Sequence, residues 1–134
     1  PGIMNPWKTI PYVGLLLIYI RISFSRSLKD RRQVVRSVLD RISKRWNVSA
    51  IDMGPSESRS EAVLAISGVG TSAEMVTQRL GLVYVFVEKL ESGSEFEIIN
   101  YWQEVDRYDD FSLAENKQAD PEGDFSAFGV QDKE

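Results

Sequence analysis

The stretch LKDRRQVVRSVLDRISKRW, residues 28–46, decides how this chain is read. Leu28, Val35, Val38, Leu39, Ile42 and Trp46 recur at three- and four-residue intervals, the spacing of one stripe along a helix. Val34 widens the stripe. Lys29, Gln33, Arg36, Asp40 and Lys44 fall on the opposite side, while Arg32, Arg41 and Arg45 flank the apolar face with their alkyl stems. Ser27 is placed to cap the first turn, Asp30 to favour the helix start, and Lys44 and Arg45 to suit its end. The spacing predicts an amphipathic helix with a basic solvent face.

Just before it, Val13–Ile22 has the β-branched, apolar content of a central strand. Alternation puts Gly14, Leu16, Ile18, Ile20 and Ile22 on one side, and Val13, Leu15, Leu17, Tyr19 and Arg21 on the other. Both sides are mostly apolar through Tyr19. Helices covering one side leave Leu15, Leu17 and Tyr19 in need of a second cover. An oligomer contact is the expected one.

Beyond the helix, Asn47–Met53 reads as a short strand, GPSESRS at 54–60 as a polar connector, and Glu61–Gly68 as the strand that completes a hairpin. Thr71 with Glu74 forms a capping-box pattern. Val76, Leu80, Val83, Tyr84, Val87 and Leu90 then give a second helical stripe, weakened by Gly81 and rivalled by a strand pattern over Leu82–Val87. Phe96–Trp102 reads as the last strand. The order strand, helix, strand, strand, helix, strand is the split βαβ pattern: an α+β domain whose two helices cover one face of a four-stranded antiparallel sheet.

The 134 residues divide into an approach segment over 1–11, one domain over 12–104 and an acidic tail over 105–134, expected to be mobile unless its aromatics dock. A short helix around Ser112–Lys117 is one reading of that tail. The formal charge of −4 hides a local balance of +7 over residues 21–46 and −6 over 105–134. With no cysteine and no histidine, disulfides, thiolate chemistry, histidine acid–base catalysis and Cys- or His-ligated metals are excluded for this chain. The longest apolar run, Val13–Ile20, is too short to span a membrane as a helix and carries no secretory pattern, so a cytoplasmic location is expected.

No catalytic residue emerges from the sequence. Gly68-Val69-Gly70-Thr71 lies between a strand and a helix, but it has neither the Walker lysine nor the dinucleotide fingerprint. Asp52, Glu57 and Glu61 can approach one another around the hairpin, a pattern that favours a solvated loop over a carboxylate dyad. The serines at 56, 58 and 60 lack a base. Arg26, Lys29, Arg32 and Arg36 form a stronger candidate, a set of cations able to contact phosphate oxygens without reading bases. Tyr19, Tyr101 and Trp102 offer aromatic surfaces, for which core packing or subunit contact is favoured over base stacking because the RGFGFVxF sheet motif is absent.

Two stretches, Ser25-Arg26-Ser27-Leu28-Lys29-Asp30-Arg31-Arg32 and Trp46-Asn47-Val48-Ser49, carry a resemblance to a small bacterial family of uncharacterised proteins known under a domain-of-unknown-function label, over about residues 12–104. The resemblance implies a ferredoxin-like fold that self-associates. It also implies a connection with RNA or the ribosome, since family members are commonly encoded near genes for translation initiation and ribosome maturation. Tyr19 departs from the family's acidic residue in the first strand, and Gly54-Pro55-Ser56-Glu57 from its DHQD-like connector.

Three roles are expected in order. The first is a non-enzymatic accessory protein touching RNA or a ribonucleoprotein through Arg26, Lys29, Arg32 and Arg36, without a cofactor. The second is a homo-oligomeric interaction module built on Leu15, Leu17, Tyr19, Tyr101 and Trp102. The third is a small-molecule enzyme using the loop carboxylates, which requires a pocket joining Asp52, Glu57 and Gly70.

Overall fold

In a computed structural model that describes residues 9–108, the 28–46 stretch forms helix α1, Leu28–Arg45. Ser27 caps it, its hydroxyl accepting from the Asp30 amide at 3.1 Å. The Asp30 carboxylate accepts in turn from the Arg26 amide at 3.0 Å, one residue further back than a capping box reaches. Val35, Val38 and Ile42 are buried as their spacing requires.

The remaining elements are β1 (Tyr12–Ile22), β2 (Ser49–Asp52), β3 (Glu61–Gly70), α2 (Ala73–Glu91) and β4 (Phe96–Arg107). The strands form one sheet in the order β2-β3-β1-β4, and every neighbouring pair is antiparallel. Both helices lie on one face, giving the ferredoxin-like α+β arrangement. Leu16, Ile18 and Ile20 of β1 meet Ile66, Leu64 and Ala62 of β3 across the ladder, and all six are fully buried. Val76, Leu80, Val83 and Val87 of α2 complete this core. Gly14 lets α2 approach β1 closely, since a Cβ there would stand 2.6 Å from Val76 Cγ1.

Leu82–Val87 is helical, as the cap and the long stripe favoured over the rival strand pattern: Val83 and Val87 sit on the buried stripe of α2, and burial of that stripe outweighs local β-propensity. Several boundaries differ from the sequence reading. The α2 cap is Ser72, which accepts from the Met75 amide at 3.1 Å, rather than Thr71. β3 continues to Gly70 and so uses the residues read as a turn. β4 runs five residues past Trp102 to Arg107, and Tyr108 then donates to the Pro11 carbonyl at 2.9 Å. Asp106 and Arg107 have the charge of the acidic tail expected from 105 onward, but β1 is long enough to pair with them, Val13 with Asp106 and Tyr12 with Arg107. The Ser112–Lys117 stretch lies outside the described residues.

Candidate binding surfaces

The helix-free face of the sheet is built from the other residues of the same strands. Leu17 sits between Ala65 and Trp102, Tyr19 between Val63 and Asn100, and Leu15 between Ser67 and Glu104. Ile51 of β2 extends the apolar surface beyond Ala65. Leu17, Tyr19, Val63 and Trp102 border an open cavity of about 360 Å³. Trp102 is 48% exposed and Ile51 52%. Charge confines the patch: Arg21, Glu61 and Glu97 are neighbours across the ladder at one end, Glu104 and Asp106 lie at the other. Asp106 hydrogen-bonds Glu104 and repels its charge, which raises the Glu104 carboxyl above its usual value.

The five residues expected at one interface come from the two faces of the strands. Leu15, Leu17, Tyr19 and Trp102 lie on the open face. Tyr101 pairs with Ile18 and belongs to the helix side, where its ring packs on Tyr84 of α2 at 4.2 Å between centroids. Adjacent strand residues point to opposite faces, so Tyr101 meets the open cavity only at its border, beside Asn100 and Trp102. Burial, with Glu88 close by, pushes the Tyr84 phenol above its ordinary value.

On the other side of the molecule, Arg26, Lys29, Arg32 and Arg36 are all exposed. Lys29, Arg32 and Arg36 follow one another at helical spacing along α1. Among the described residues none of the four makes an ion pair, the one recorded pair being Arg31 with Asp52. Arg32 and Arg36 border a depression of about 240 Å³ between α1 and β2, with Ala50 and Asp52 on its far wall.

Arg31 is the residue that sequence reasoning passed over. It is 2% exposed and fully engaged: Nη1 and Nη2 donate to the two Asp52 oxygens at 2.8 and 3.0 Å, and Nε donates to the Glu61 carbonyl at 2.6 Å. One side chain thereby ties α1 to β2 and β3. Asp52 also accepts from the Gly54 amide at 2.8 Å. The Arg31 hydrogen bonds, against some desolvation, hold its carboxyl below the usual carboxylate range. Its position did signal the role, because Arg31, Val35, Val38 and Ile42 share one stripe.

This network disperses the loop carboxylates. Asp52 is held by Arg31, Glu61 contributes its backbone carbonyl, and Glu57 is exposed beside Ser56. The depression beside Asp52 is lined by neither Glu57 nor Gly70. Gly70 ends β3 at about 30 Å from its start, as strand rise dictates. It serves packing, since a Cβ there would stand 2.8 Å from Val76 Cγ2. Among the described residues no group of three or more Asp or Glu gathers in a way that would hold a metal ion. No helix among them is long and apolar enough to cross a membrane.

A search of curated proteins finds no match to this chain. A family model described as a protein of unknown function, DUF503, matches residues 13–102, from the first strand through Trp102. With most of its length matched and the sheet and both helices in place, the chain belongs to the DUF503 family.

Proposed function

We propose that this protein is a non-catalytic binding module that self-associates through the open face of its sheet. The observation that carries this reading is the continuous apolar surface of Leu15, Leu17, Tyr19, Val63 and Trp102, which neither helix covers. Three strands of 10 to 12 residues and the four-residue β2, spaced about 4.8 Å apart with a rise of about 3.3 Å per residue, present roughly 550 Å² per copy. Two copies face to face bury roughly 1,100 Å², just above the lower bound of a specific interface. Light scattering over a concentration series tests it. The wild type is expected to be dimeric or larger at tens of micromolar, and Leu17→Asp monomeric with unchanged circular dichroism. A wild type that stays monomeric at high concentration removes the reading.

A second reading, contact with RNA or a ribonucleoprotein through α1, is favoured by the exposure of Arg26, Lys29, Arg32 and Arg36 and by their freedom from ion pairs among the described residues. Self-association through the sheet leaves these cations facing outward in every copy. Binding to single-stranded and structured RNA is expected to weaken steeply with salt. It is expected to be lost when all four residues become glutamine. Equal binding by the folded variant and the wild type rejects this surface.

A further inference from the structure

The open face carries its side chains in an uneven order. β1 lines it with Leu15, Leu17, Tyr19 and Arg21, and the residues directly across the ladder on β3 are Ser67, Ala65, Val63 and Glu61. The surface is high along β1 and low along β3. Charge is as uneven: at one end Arg21 stands between Glu61 and Glu97, and at the other Glu104 and Asp106 stand beside Leu15 and Val13. Arg21 and Glu61 are ladder neighbours without being an ion pair, since the one recorded among the described residues joins Arg31 to Asp52.

Two identical faces that meet around a two-fold axis must match reciprocally, and stacked sheets with aligned strands allow two such axes. With the axis across the strands, β1 lies on β1 and β3 on β3. Leu17 then meets Leu17, Ala65 faces Ala65 over a gap, and Asp106 comes over Glu97, a like-charge contact. With the axis along the strands, between β1 and β3, each β1 lies on the partner's β3. Leu17 then sits over Ala65, Tyr19 over Val63 and Arg21 over Glu61, each of them twice. Long side chains meet short ones, and no strand carboxylate faces another. Aligned sheets cross at about 30°, so the match is closest in the central row through Leu17, while the length of the Arg21 side chain spans the offset at the end.

We propose that the open face is completed by a second copy turned about an axis along the strands, with Leu17 seated over Ala65 and Arg21 of each copy paired to Glu61 of the other. The proposal rests on the reading that the protein self-associates through its sheet. It adds which residue meets which.

The test uses the absence of cysteine from the chain. Val69 and Ile51 both lie on the open face and are 57% and 52% exposed. At usual strand and sheet spacings, the proposed axis puts the two copies of Val69 about 11 Å apart and those of Ile51 about 17 Å apart; the other axis gives about 28 Å and about 10 Å. Val69→Cys and Ile51→Cys are each treated with a short bismaleimide at a concentration where scattering shows the wild-type dimer. Val69→Cys is expected to give covalent dimer and Ile51→Cys none. Arg21→Glu and Glu61→Arg are each expected to weaken the dimer about ten-fold, and the double variant to regain the wild-type affinity. Cross-linking of Ile51→Cys beside or in place of Val69→Cys, or a double variant no tighter than the single ones, overturns the orientation and leaves self-association standing. A wild type that stays monomeric, or a dimer in which neither cysteine cross-links, overturns the sheet contact as well.

Discussion

The two faces of the sheet are cut from the same strands, residue by residue, yet they meet opposite fates. Leu16, Ile18 and Ile20 are fully buried beneath the helices. Leu15, Leu17 and Tyr19, nearly as apolar, stand between them on the uncovered side, where Leu15 is 36% exposed. Both crossovers place their helix on the same side of the sheet, as their common handedness demands, so four strands receive one layer of cover. Hydrophobicity states that each face needs a neighbour, and topology decides which face receives it from its own chain. Among the described residues, nothing lies over the second face.

The largest effect separates the faces directly. Ile18→Ala empties a fully buried position and is expected to cost about 4 kcal/mol, read from urea denaturation at low protein concentration. Leu17→Ala, one residue away on the open face, is expected to cost less than about 1 kcal/mol under the same conditions. Similar losses from both would mean that the open face is covered within a single chain, and the contrast between the faces would disappear.

Arg31 and Arg32 repeat the contrast at the edge of the core. Arg31→Met leaves Asp52 without its partner and is expected to cost about 3 kcal/mol. Arg32→Met, at an exposed position, is expected to change stability by about 0.5 kcal/mol or less while lowering affinity for polyanions. A large loss from Arg32→Met would make the outward row of cations part of the fold.

Much of this division was legible in the sequence. The stripe from Leu28 to Trp46 and the alternation from Val13 to Ile22 located the helix and the central strand, and with them the uncovered side. What escaped depended on partners distant in the chain. Arg31 lies on the apolar stripe, but Asp52 is 21 residues away on another element, and no spacing rule joins them. The ladder register shifts at Tyr19 and Ile20 where it meets Asn100 and Ile98, and this decides that Trp102 rather than Tyr101 joins Leu17.

Asp52 gives the core's edge a pH signature. Its carboxyl is held below its ordinary value of 3.8 in the folded chain, so the unfolded chain binds the proton more readily. The pair's contribution is present in full above the unfolded value and is lost as pH falls through 3.8 towards the lower folded value. Asp52 remains partly exposed and solvent screens the pair, so the effect is smaller than that of removing Arg31. Acid unfolding followed by circular dichroism is expected to show a shallower fall in stability below pH 5 for Asp52→Asn than for the wild type. Parallel curves would mean that the pair does not bias the protonation of Asp52.

The smallest expected effect tests whether the sheet, rather than the helix layer, is the face that needs a partner. α2 also carries apolar groups outward: Met75, Leu82 and Val85 are 45%, 51% and 44% exposed. Gly81 lies beside Leu82, and a Cβ there would meet nothing within 4 Å. With the partner on the sheet, Gly81→Ala only removes the entropic cost of glycine in a helix, and stability is expected to rise by about 0.5–1 kcal/mol. The rise should be the same at every protein concentration, since association is untouched. With the partner on α2, the missing side chain at Gly81 would let the second copy approach closely, and alanine would hold it off. Melting temperature would then lose part of its dependence on concentration. That result would move the contact from Leu17 and Trp102 to Leu82 and Val85, while an unchanged concentration dependence keeps it on the uncovered strands.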